Sequence, residues 1–194
     1  MDLQAQNQDD RHGRNPPSDD RLNAGKAAME LIPLGPVPGM IVSIVAANIQ
    51  GLLGLAVDIR AAGPEPDYAY LPIRRQYDAA RIIETLAADA GGAPLKLGLV
   101  QKDLCLPILT YVYGESQLGG KAAVVSLHRL IHESRPLIYR RAVKVSLHEV
   151  GHLLGLAHCR EIDCLMRFSK QLEQLDRLPI TFCSACRYEI ERRA

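Results

Sequence analysis

The sequence predicts an α/β protein built on a mixed, mainly parallel sheet. Three observations carry that expectation. Strand and helix periods alternate through the first half of the chain, three strand-like runs then follow one another with only loops between them, and a long helical pattern precedes a short cysteine-bearing end. The 194 residues are enough for one full core and too few for two ordinary domains. Hydrophobic residues at 47% and charged residues at 23% exclude a disordered, collagen-like or coiled-coil chain.

Taken in order, residues 1–28 carry many charges and prolines, with only Leu3 and Leu22 as large aliphatic groups. They are expected to be a disordered polar tail, or an artefact of start-site choice, since Met29 directly precedes the first strand-like run, Glu30 to Leu34. Ile41, Ile44, Val45, Ile49 and Leu52 recur at helical spacing behind Pro36 and Pro38. Leu55, Val57 and Ile59 alternate with smaller or polar residues at the period of a strand. A second helix fits Asp78 to Ala90, stopped by Gly91-Gly92. Strands are expected at Leu95 to Val100, Leu109 to Tyr113 and Ala122 to Leu127, with Leu109 to Tyr113 as the reversed strand. Arg140 to Leu154 reads as a long helix with Val143, Leu147, Val150 and Leu154 inward, followed by short helices near Ser169 to Leu175 and Cys186 to Arg193.

Charge and apolar runs restrict function. Lys plus Arg is 23 against 22 Asp plus Glu, a net +1 that provides no bulk field for nucleic acid or an anionic membrane. The longest apolar run, Met40 to Ile49, is too short to span a bilayer, and no signal segment opens the chain. Cytoplasmic residence is expected. An odd count of five cysteines in a reducing compartment then favours metal binding over disulfides.

The informative segment runs from His148 to His158. On a helix His148 and His152 share a face, so both can aim a ring nitrogen at one ion, with Glu149 beside them. Gly155 can take the left-handed conformation that ends the helix and swings His158 back toward that ion. Three neutral imidazoles suit Zn²⁺ and leave a fourth position open, as catalytic sites do. Cys159, Cys164, Cys183 and Cys186 follow, and four thiolates can close a structural zinc site. Buried free thiols, or a redox dithiol at Cys183 and Cys186, are the alternatives.

The run through His148, His158, Cys159, Cys164, Met166, Cys183 and Cys186 resembles the archaemetzincin family, a branch of the metzincin zinc metallopeptidases. Arg75-Gln76-Tyr77, Tyr113-Gly114-Glu115, Val125-Ser126-Leu127, Arg129-Leu130 and Arg167-Phe168-Ser169 are similar to family segments as well, so the likeness extends from about Met29 to the C-terminus. The resemblance implies a metzincin-like fold: a mixed, mainly parallel twisted sheet with an active-site helix in an N-terminal subdomain, 29–155, and a small zinc-stapled C-terminal subdomain, 156–194. It implies His148, His152 and His158 on a catalytic zinc, Glu149 as general acid and base, Met166 in a turn beneath the metal, and a second, structural zinc on the four cysteines. Without that context Met166 reads as core filler.

The function expected is peptide-bond hydrolysis by a zinc-activated water with Glu149 as the base, on a peptide or protein bound in extended form. Leu109 to Gly114 is the candidate edge for that peptide. The alternatives are a two-zinc peptide-binding module with weak or no hydrolysis, and amide hydrolysis on a small non-peptide molecule. No nucleic acid or membrane partner is expected, and a monomer is the default. His128 and His132 read as rim or surface histidines, Cys105 as a buried thiol, and Tyr111 and Tyr113 as strand packing more than transition-state donors. Arg129, Arg135, Arg140, Arg141 and Lys144 read as a solvated basic face, with an acidic substrate as the alternative.

Overall fold

The computed structural model describes residues 28–193, so the segment expected to be a polar tail lies, apart from Ala28, outside the described residues. Strands β1 (Met29–Leu34), β2 (Val57–Ile59), β5 (Leu95–Val100), β8 (Gly114–Ser116) and β9 (Ala122–Ser126) form the main sheet in the order β2-β1-β5-β9-β8. All its pairings are parallel except β8 against β9. Helices α1 (Gly39–Leu53) and α3 (Arg135–Leu153) cover one face, and α2 (Ala79–Ala88) covers the other.

The period of two along β9 divides it between these layers. Ala123 and Val125 join the cluster of Ile41, Val45 and Ile49 from α1 with Leu147 and Val150 from α3, whereas Ala122 and Val124 join Ile82, Ile83 and Leu86 from α2. Burial on both faces is why β5 and β9 are nearly continuous apolar runs. α2 starts where the Asp78 carboxylate accepts the Ala80 N–H at 3.0 Å. It ends at Ala88, two residues before the expected end at Ala90, because Asp89 is already extended. α3 begins at Arg135, earlier than expected, with Pro136 in the first turn where its missing N–H costs nothing.

The reversed strand is not the one expected. Gly114–Ser116 runs antiparallel to β9, and Leu109–Val112 (β7) instead pairs with Leu104–Leu106 (β6) in a second sheet with Tyr70–Leu71 (β3) and Gln76–Asp78 (β4). Side chains of β4 and the turn before it anchor β7 there. Arg74 donates to the carbonyls of Leu106, Leu109 and Thr110, and Gln76 donates to Thr110 and to Asp103. The basic face is also corrected. Arg141 and Lys144 are buried: Arg141 pairs with Asp176, and Lys144 donates to the carbonyls of Leu175 and Asp176 in α4 (Leu172–Arg177). Arg129 pairs with Asp103.

Beyond α3, Leu165, Met166, Phe182 and Ile190, the last from α5 (Ser184–Arg193), pack into the same cluster as α1 and α3. Among the described residues no helix is long and apolar enough to cross a membrane.

Candidate metal centres and cleft

The C-terminal end of α3 sets the geometry. Gly155 has φ +83°, and the Leu156 N–H bonds the Gly151 carbonyl while the Gly155 N–H bonds that of His152, the paired bonds of a Schellman turn. A side chain at Gly155 would be strained by that φ, and its Cβ would meet the Arg193 guanidinium. The turn does two things at once. It sends the chain back so that His158 meets His148 and His152, and it brings the Leu156 carbonyl to His152.

The His152 Nδ1–H donates to Leu156 O at 2.6 Å, and the His148 Nδ1–H donates to Leu165 O at 2.8 Å. A carbonyl can only accept, so Nδ1 carries the proton in both rings and each Nε2 presents a bare lone pair. Those two Nε2 atoms lie 3.1 Å apart. Two lone pairs this close repel unless a cation lies between them, so the donor set fits a metal ion. The ligand nitrogens of His148, His152 and His158 all lie within 4.8 Å of one another. Burial holds the His148 ring neutral, its pKa pushed down to about 4, and pushes His152 and His158 down too. Three imidazoles with room for a further ligand suit zinc.

Glu149 is buried, and its Oε2 accepts the Ser116 hydroxyl at 2.7 Å. Burial pushes its carboxyl up to about 8, with the Ser116 bond pulling the other way. Strand β8 passes very close: a Cβ at Gly114 would lie 2.7 Å from Glu149 Cγ, so only glycine admits this approach. Met166 is fully buried below, and a Cβ at Gly151, between the two helical histidines, would sit 2.5 Å from its Sδ.

The second cluster joins Cys159, Cys164, Cys183 and Cys186, whose sulfurs also lie within 4.8 Å of one another. Cys159 and Cys183 are 3.8 Å apart, too far for a disulfide, and all four are free thiols. The Cys186 backbone N–H holds the Cys183 thiol below its usual range, whereas burial pushes Cys164 and Cys186 up. A tetrahedral ion is the chemistry that four converging sulfurs fit. The clusters are joined by backbone: Cys164, Leu165 and Met166 are consecutive, and Leu165 supplies the carbonyl that holds His148.

The histidines open into a cleft of about 570 Å³ between the strand segment 109–116 and the loop 165–170. Tyr111 and Tyr113 line it, their rings packed edge to face with centroids 5.5 Å apart. Burial pushes the Tyr113 phenol up, and the Arg129 guanidinium lies 4.1 Å over the Tyr111 ring. His128 and His132 are exposed away from the cleft, and Cys105 is fully buried. Sequence reasoning missed Ser116 and Phe168, although each lies within or beside a segment noted for its likeness to the family. It also missed the carbonyls of Leu156 and Leu165, which no side-chain motif reveals.

Residues 74–192 match Peptidase family M54. An archaemetzincin of Methanopyrus kandleri is 34% identical over 157 residues, 81% of this chain and 90% of that protein. Its crystal structure superposes with a TM-score of 0.81 at 32% identity, covering 88% of this chain and 97% of the other. An archaemetzincin of Archaeoglobus fulgidus is 35% identical over 151 residues, 77% of this chain and 90% of that protein. A zinc-dependent peptidase from Methanocorpusculum labreanum superposes with a TM-score of 0.75 at 27% identity, covering 84% and 99% of the two chains. With most of both lengths aligned and the matched region spanning more than half of the sequence, the chain belongs to Peptidase family M54 and is a zinc metallopeptidase.

Proposed function

We propose that the protein hydrolyses peptide bonds in the cleft beneath β8, with His148, His152 and His158 holding a catalytic zinc and Glu149 acting as general base and then general acid. The observation that carries this reading is the pair of bare Nε2 atoms at 3.1 Å, each fixed by a carbonyl on its far nitrogen. Zinc held there supplies Lewis acidity, polarising the scissile carbonyl and easing loss of a proton from water. Glu149 takes that proton and passes it to the departing amine. Its Oε2 is engaged by Ser116, so Oε1 is the atom free to do so. Met166 floors the site without competing as a ligand.

The substrate is a peptide or protein tail in extended form. β8 is the edge of the main sheet and lines the cleft, so a peptide would add to Gly114–Ser116. That edge replaces Leu109 to Gly114 as a whole, because the Leu109 and Thr110 carbonyls already accept from Arg74 and Gln76.

Cys159, Cys164, Cys183 and Cys186 hold a second, structural zinc and staple a C-terminal subdomain, 156–194, onto the sheet and active helix of 29–155. Free thiols support a reducing, cytoplasmic setting, and a net charge of +1 supports neither nucleic acid nor a membrane as partner. Metal analysis of the wild type and of His158→Ala tests the assignment. Two zinc ions in the first and one in the second are expected, and equal content in both proteins would overturn the histidine site.

A further inference from the structure

We propose that Phe168 is a positioning residue for His158, its ring holding the third imidazole as backbone carbonyls hold the other two. The inference rests on the reading of the three histidines as a zinc site. His148 and His152 each commit Nδ1 to a carbonyl. His158 makes no such bond among the described residues; it is exposed and stands on the loop past the end of α3. Outside the histidine cluster its ring packs against that of Phe168, with centroids 4.9 Å apart and planes tilted by 51°.

The placement of Phe168 is not explained by its own burial. It is 54% exposed and lines the cleft into which the histidines open. The backbone puts it there. Cys159 and Arg167 form a bridge, the Cys159 N–H donates to the Met166 carbonyl, and the Arg167 N–H donates to that of Cys164. The bridge is parallel and ties the two loop segments together, and the His158 and Phe168 rings meet beside it. An imidazole without a hydrogen bond on its far nitrogen is free to rotate about its side-chain torsions, and a ring packed against it removes that freedom. Phe168 packs on His158 and carries no atom that could bind a metal, so it acts through His158.

The test uses full-length, two-zinc protein and reads transfer of the labile zinc to a chromogenic chelator. Phe168→Ala should bind that zinc about 10-fold more weakly, the low end of what removing a ligand's supporting partner costs, while Phe168→Tyr, which keeps the ring, should stay within about 2-fold of wild type. Cobalt placed in the histidine site should show an altered visible spectrum in Phe168→Ala and a wild-type spectrum in Phe168→Tyr. Retention of the thiolate-bound ion reports that each variant is folded. Phe168→Ala with unchanged affinity, or Phe168→Tyr as weak as Phe168→Ala, would overturn the proposal. His158→Ala separates the two levels: if it binds the labile zinc as wild type does, the histidine site itself is wrong and the role of Phe168 falls with it.

Discussion

Few atoms hold the Glu149 carboxyl in place. A carboxylate this buried gains protons readily, and among the described residues the Ser116 hydroxyl is the one side chain that donates to it. Removing that donor frees the carboxylate to rotate and leaves its buried Oε2 unpartnered. Ser116→Ala is therefore expected to lower kcat about 10-fold, in line with ~1.5 kcal/mol for a hydrogen bond to a charged group, with zinc content unchanged. Steady-state kinetics beside metal analysis checks this, and a fall in zinc content in step with activity would place the defect at the metal instead. The three histidines, Glu149 and Gly155 were legible in the sequence because they share one helix and the turn that ends it. Ser116 was not, because 33 residues and a change of sheet partner separate it from Glu149. The carbonyls that fix the imidazoles belong to Leu156 and Leu165, whose side chains carry no sign of the role.

At the scale of elements, α3 anchors α4 through charge. The Arg141 guanidinium, 7% exposed, meets both oxygens of Asp176 at 2.6 to 2.8 Å and holds that carboxyl below the usual range. A depressed carboxyl means that the unfolded chain binds more protons. The pair's stabilisation is thus present above the unfolded pKa of about 4 and is lost as pH falls through the lower folded value. Asp176→Asn should cost about 2 kcal/mol at pH 7 and progressively less below about pH 4, measured by urea unfolding across pH. A cost independent of pH would show that shape and not charge anchors α4. The sequence read this region as a solvated basic face, since nothing near Arg141 announces an aspartate 35 residues away. For the same reason the sequence shows β7 as a strand but not the sheet it joins: a period of two reports pleat and burial, whereas the pairing depends on Arg74 and Gln76 reaching across from another element.

Across the whole molecule, the histidine and cysteine clusters are joined through one core. Cys164, Leu165 and Met166 are all fully buried, and they link the thiolate site to His148 and to the floor under α3. Cys183→Ser should therefore lower both thermal stability and zinc occupancy, by several kcal/mol where structural zinc supplies folding free energy. Cys105→Ser, at a buried thiol outside both clusters, should cost about 1 kcal/mol and leave zinc content alone. Calorimetry with metal analysis compares them, and equal damage from the two would remove the second zinc from the description. The order of layers was legible because long periodic segments dominate it, while the short strands β3, β4 and β6 were too brief to show a period. Peptide cleavage in this cleft with Glu149 as the base is tested most directly by exposing a peptide library to wild type and to Glu149→Ala at equal zinc content and comparing cleavage by mass spectrometry. Cleavage by wild type and a loss of about 100-fold or more in the variant are expected. Cleavage at the same rate by both proteins, or by neither, would contradict it.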